Sequence, residues 1–173
     1  MTDDGRIYLA PVEPTYLAQT IKATSDQHAE RDPALIGDCW RTVIACLIGA
    51  DDPTTVPHFV AQATSSAGYS RCGWETVRLT RLWLRARALD LVFIDRAEAD
   101  ELGVSYGLDV FSVRGPWLHT VVARRGEVVH DPAGDGYAMT ADAGNPVCVI
   151  CDPYEPDPDA LVSEWEAAET GAS

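Results

Sequence analysis

No run of apolar residues in this chain approaches the roughly twenty that a helix needs to cross a bilayer. The first residues, Met-Thr-Asp-Asp-Gly-Arg, lack the basic-then-apolar pattern of an export signal. The expectation is a cytoplasmic protein with no membrane association. Positive charge is also scarce: 13 Lys and Arg stand against 27 Asp and Glu, for a net charge of −14. A general nucleic-acid binder is thereby excluded, because phosphate neutralisation wants the opposite sign. Lysine is all but missing, with Lys22 alone among the basic residues. There is no Gly-x-Ser-x-Gly elbow for serine chemistry and no glycine-rich loop to cradle phosphate. Nor is there an even set of cysteines. The five (Cys39, Cys46, Cys72, Cys148, Cys151) read as reduced thiols and not as a disulfide framework. No internal repeat and no domain linker is visible.

Metal-ligand patterns are equally thin. His28, His58, His119 and His130 do not fall at helical i, i+4 spacing. Cys148 and Cys151 form Cys-x-x-Cys, but residues three apart on a strand face opposite ways. Neither a metal nor a cofactor is expected.

What is present is enough for one domain. The chain has 173 residues, 46% of them apolar, and can bury a real core. Residues 6–12 read as a strand and 14–23 as helical in composition. From Cys39, spacing of i, i+4, i+7 and i+8 aligns Val43, Cys46 and Leu47 with it on one helix face. Asp38 reads as the N-cap and Gly49 as the stop. Helices are expected near 57–65 and 74–88, the latter in an arginine-rich stretch that reads as a solvated face. Strands are expected at 91–94, 109–113, 117–123, 128–130 and 147–151. The turn at 124–126 makes a hairpin of the third and fourth. Helices first and strands later predict an α+β class, with an N-terminal helical layer on a mostly antiparallel sheet. The domain spans 1–152, and 153–173 form an acidic tail with a short helix.

Three residues carry the candidate chemistry. Cys39 opens a helix, where the dipole favours a thiolate. His119, in Leu-His-Thr-Val-Val, sits on a strand as a candidate base. Asp131, in His-Asp-Pro, returns one strand later as a candidate orienter of that imidazole. The order Cys, His, Asp suits a thiol nucleophile served by an oriented base. The main-chain N–H of Cys39 is one natural oxyanion donor, and Gln27 and Gln62 are the side-chain candidates for the second. Asp38, Trp40 and Trp117 are expected around the cleft. His58 reads as a capping residue of the second helix.

On these residues the chain resembles the papain-like cysteine peptidase superfamily. It looks most like the bacteriocin-leader-processing peptidase domains of ABC exporters and their stand-alone relatives. The matching motifs are Asp38-Cys39, His119-Thr120-Val121-Val122 and Asp131-Pro132-Ala133. It is also similar to small bacteriophage proteins carrying a Gly-Asp-Cys helix, a Val-Pro-His-Phe segment and a later His-Asp-Pro, matched here by Gly37 to Cys39, Val56 to Phe59 and His130 to Pro132. The arginine bias fits a GC-rich bacterial or phage coding source. The resemblance implies a papain-like fold and a Cys39-His119-Asp131 triad. One departure stands out: those peptidases place a glutamine six residues before the nucleophile, and Pro33 occupies that position here. Loss of one oxyanion donor raises a barrier by about 3 kcal/mol.

The expected function is a cysteine hydrolase or acyl-transfer enzyme acting on an amide, isopeptide or (thio)ester bond of a peptide, protein or small acyl substrate. The rival expectations are a catalytically silent papain-like domain that binds a partner protein, such as a phage-encoded modulator of a host factor, and a structural or metal-binding module.

Overall fold

The structure, a computed structural model, describes residues 14–20, 36–68, 72–113, 118–134, 136–138 and 146–152. The expected strand at 6–12, the turn at 114–116 and the tail at 153–173 lie outside the described residues.

Helix α1 (Cys39–Leu47) starts where Asp38 O accepts from both Thr42 N and Thr42 Oγ1. It stops at Gly49, whose φ of 71° is easy only without a Cβ. Gly49 N returns to Cys46 O and Ala50 N to Ala45 O, the paired bonds of a Schellman ending. Val43 through Leu47 are all buried, so α1 is apolar around most of its circumference and lies inside the molecule. A 3-10 turn (Pro53–Thr55) leads into α2 (Phe59–Ala67), and α3 (Cys72–Arg85) follows. The expected helix at 14–23 does not form over its described part: 14–20 is an extended strap. It is held by Thr15 Oγ1 to Ala50 O, Leu17 N to Cys46 Sγ and Gln19 N to Pro132 O.

The sheet holds β1 (Asp90–Ile94), β2 (Ser105–Ser112), β3 (Leu118–Arg124), β4 (Glu127–His130), β5 (Tyr137–Ala138) and β6 (Val147–Cys151). Its order is β1-β6-β2-β3-β4, with β5 beside β2, and every pairing is antiparallel. The class is therefore α+β, as expected. Arg125 and Gly126, both at positive φ, make the two-residue turn between β3 and β4. Strand β2 begins four residues earlier than its polar flank suggested.

One face of the sheet (Leu91, Val122, Cys148, Ile150) packs on α1 with Val43, Ile44 and Leu47, and Val56, Phe59 and Leu84 join that core. The other face (Tyr106, Leu108, Val110, Val121, Val149) is covered in part, through Ala99, by a helix not expected from the sequence, α4 (Arg96–Leu102), capped by Asp95 and Gly103. Cys148 and Cys151 fall in opposite cores, as strand alternation requires. Among the described residues no helix is long and apolar enough to cross a membrane.

Candidate active site

Two of the candidate residues meet directly. His119 Nε2 lies 2.7 Å from Asp131 Oδ1. The same carboxylate accepts from Ala133 N at 2.9 Å and Gly136 N at 3.0 Å, so the turn after β4 is folded around it. Burial alone would raise the Asp131 carboxyl. The His119 hydrogen bond and the two amides outweigh it and hold the group below the usual carboxylate range. An anionic Asp131 fixes the proton on Nε2. In the neutral imidazole that leaves Nδ1 as the acceptor, the nitrogen a general base uses.

Cys39 is the first residue of α1, and its sulfur rests against β3. The N–H groups of Thr120 and Trp40 favour the thiolate, and so does the Thr120 hydroxyl when its proton is turned to the sulfur. Burial nevertheless pushes the Cys39 thiol above its ordinary value, and the nearby Asp109 charge pushes the same way. The helix-start position does not, therefore, deliver the depressed thiol expected from the dipole alone: desolvation is the larger effect.

His119 immediately precedes Thr120, so sulfur and imidazole serve neighbouring residues of one strand. Alternation sends their side chains to opposite sides. Thr120 and Val122 face α1, whereas His119 stands opposite Val110 and in line with Val121. Among the described residues no hydrogen bond joins the Cys39 sulfur to His119. Strand β4 reaches only to His130, opposite Val122. The first half of β3 thus has an edge with no β4 beside it, next to the Asp131 turn.

The expected cleft residues are distributed differently. The Asp38 side chain makes no cap bond. Its buried carboxylate accepts instead from Thr20 N and Oγ1 and from Arg41 Nε and Nη2, tying the strap to α1. Trp40 is a core residue 8% exposed, with Nε1 donating to Thr80 Oγ1 of α3 at 3.0 Å. Gln62 is exposed on α2. Gln27 and Trp117 lie outside the described residues. His58 caps α2 as expected: Nδ1 accepts from Ala61 N and Nε2 donates to Ile36 O. His130 Nε2 donates to Leu17 O of the strap.

Sequence reasoning missed two residues. Gln19 is buried on the strap, between Thr20, which bonds Asp38, and Pro132, which follows Asp131. Asp109 stands opposite Thr120 and accepts from its hydroxyl at 2.7 Å. Burial raises its carboxyl, against the Thr120 bond and the charge of His119. Its signal was an acid interrupting an apolar strand, Gly-Leu-Asp-Val-Phe. All five cysteines are free thiols, and among the described residues no cluster of His, Cys, Asp and Glu is arranged to hold a metal. No protein-family model, curated protein or solved structure matches the chain.

Proposed function

We propose that the chain is a papain-like cysteine hydrolase or acyl-transfer enzyme acting on an amide, isopeptide or (thio)ester bond. The observation that carries this reading is the His119–Asp131 pair at 2.7 Å, one residue along β3 from the Thr120 on which the Cys39 sulfur rests. In the reaction His119 Nδ1 removes the thiol proton as Cys39 attacks the carbonyl carbon. The oxyanion forms at the start of α1, where first-turn amides point outward. Collapse gives a thioester as the imidazolium returns its proton to the leaving group, and water or an acceptor nucleophile then releases the acyl group. Asp131 steadies the imidazolium. Among the described residues the first half of β3 has no β4 partner, and the step requires Nδ1 to come around that edge to the sulfur on the other face. Gln19, buried on the strap beside the Thr20 that bonds Asp38, is the proposed second oxyanion donor in place of the absent glutamine at 33. Phe111 and Leu118, paired across β2 and β3 and exposed, continue the sheet face of Asp109 and Thr120 and offer an apolar platform to substrate.

Alkylation with a thiol-directed electrophile, read by peptide mass mapping, tests the reading. Cys39 labels first in the wild type, labelling at that site is lost in Cys39→Ala, and His119→Ala slows it about tenfold near neutral pH. Labelling of Cys72 or Cys46 at the same rate as Cys39, or a Cys39 rate indifferent to His119, refutes it. Those results favour the silent partner-binding domain, for which the raised thiol and the missing sulfur–imidazole bond already speak.

A further inference from the structure

We infer that Asp109, acting through the Thr120 hydroxyl, governs whether the Cys39 sulfur keeps its proton, and so is a positioning residue that holds the nucleophile in reserve. The inference rests on the reading of Cys39 as the nucleophile. A threonine hydroxyl has one proton to give. Two acceptors meet at Thr120 Oγ1: the Asp109 carboxylate, 2.7 Å away, and the Cys39 sulfur. When Asp109 is ionised it takes that proton, and the hydroxyl can then only accept from the sulfur, which leaves a neutral thiol. When Asp109 is protonated it donates to Oγ1 instead, and the hydroxyl turns to the thiolate. The two ionisations are thus opposed, by the direction of one hydrogen bond and by like charge. Asp109 is unlike Asp131 in this respect. Asp131 has three donors, two of them fixed main-chain amides, whereas Asp109 has the single rotatable hydroxyl among the described residues.

The other ionisable groups facing this point are few. Cys148 on β6 lies on the same sheet face, with its thiol pushed by burial up to about 12, and it stays neutral. His119 on β3 lies on the far side of the strand, with Nε2 on Asp131. On α1 the neighbouring Asp38 is paired with Arg41. Among these groups only Asp109 accepts from the Thr120 hydroxyl.

The experiment is the pH–rate profile of Cys39 alkylation by iodoacetamide. It is measured in His119→Ala and in His119→Ala/Asp109→Asn, so that imidazole titration cannot imitate the effect. The first variant shows a shoulder where Asp109 titrates, and the second a single slope up to its plateau. The midpoint falls by about one pH unit, and the rate at neutral pH rises about tenfold. Adding Thr120→Val narrows the difference between Asp and Asn at 109, leaving the part that comes from the Asp109 charge itself. Far-ultraviolet dichroism checks each fold, and if Asp109→Asn does not fold the shoulder in His119→Ala alone decides. A profile without a shoulder, a midpoint unmoved by Asp109→Asn, or an Asp-to-Asn shift undiminished by loss of the hydroxyl overturns the inference. Because these arms all lack His119, they are independent of the His119 effect on which the proposed function stands or falls.

Discussion

Gly107 is where the sheet lets α1 come close, and replacing it offers a worked test of the packing that positions Cys39. A Cβ added there would overlap Cys148 Sγ, lie 3.2 Å from Val43 Cγ1 and stand 3.6 Å from Thr120 Cγ2. Val43 is fully buried on α1 and Cys148 is buried on the neighbouring β6, so neither can swing into solvent. Relief requires α1 to lift or β6 to shift, and overpacking of this kind costs about 1–3 kcal/mol. Gly107→Ala is therefore expected to lower the urea midpoint of unfolding with little change in slope. Cys148→Ala by itself removes one buried heavy atom, at about 1 kcal/mol. In the double variant the new methyl fills the space the sulfur left. The pair should then be more stable than the sum of the singles predicts, by about 1–2 kcal/mol. Urea titrations of the wild type, both singles and the double measure that coupling. Strict additivity, within about 0.5 kcal/mol, would refute the reasoning and place the strain of Gly107→Ala somewhere other than at the sulfur. Alkylation of Cys39 in the same set should follow stability, because the helix that lifts is the one that starts with it.

Two further perturbations have clear signs. Asp90 is buried at the start of β1 and bonded by Arg81 Nε and Nη2, Arg85 Nε and Nη2, and Leu91 N. Arg81→Met should cost about 3–5 kcal/mol in urea unfolding by leaving a buried charge half-partnered, and Arg85→Met, at the more exposed edge, distinctly less. Burial depresses the His58 pKa below its ordinary 6.5, and its neutral Nδ1 accepts the Ala61 N–H that starts α2. The unfolded chain thus takes up this proton first as pH falls. Stability is complete above about 6.5, declines below it and levels off beneath the lower folded-state value. His58→Asn keeps a capping oxygen and removes the titration, so the unfolding midpoint should vary less between pH 7.5 and 5 than in the wild type; equal variation would sink the assignment.

Much of the frame was legible because it is local. Helix α1 announces itself by apolar residues all round and a glycine stop, the β3–β4 hairpin by Arg-Arg-Gly, and β6 by an unbroken apolar run. Helix α4 was not legible, since Ala99 is its one fully buried residue and seven residues give no periodicity to read. The first half of β2 was hidden by Gly107, which has no side chain and is there to make room for α1. The fates of Asp38 and Trp40 depend on Thr20 and Thr80, partners 18 and 40 residues away, so no window of sequence could assign them. His119 and Asp131 were legible as a pair because a tight hairpin fixes which residues of its strands lie side by side. Cys39 was legible as a helix start but not in its electrostatics, which come from a strand seventy residues on.

Consecutive residues of β3 serve two carboxylates whose pKa values are pushed in opposite directions, Asp131 down by its donors and Asp109 up by burial. Asp131 is surrounded by donors that cannot turn away, so it stays charged and keeps the His119 tautomer fixed whatever the pH near neutrality. Asp109 has one donor, and that donor has another customer in the Cys39 sulfur. A site with a permanently ionised acid on one side of a strand and a protonatable acid on the other has the asymmetry that separates orienting from gating roles. It also explains why the start of a helix, which should sharpen a thiol, holds one here whose proton is retained. The dipole and the N–H groups of Trp40 and Thr120 pull the proton off, burial and Asp109 push it back on, and the balance at rest lies with the thiol. On the proposed reading, a nucleophile so poised is tipped toward thiolate by whatever neutralises Asp109 or brings the imidazole around the strand edge, and each of these can be imposed separately by substitution.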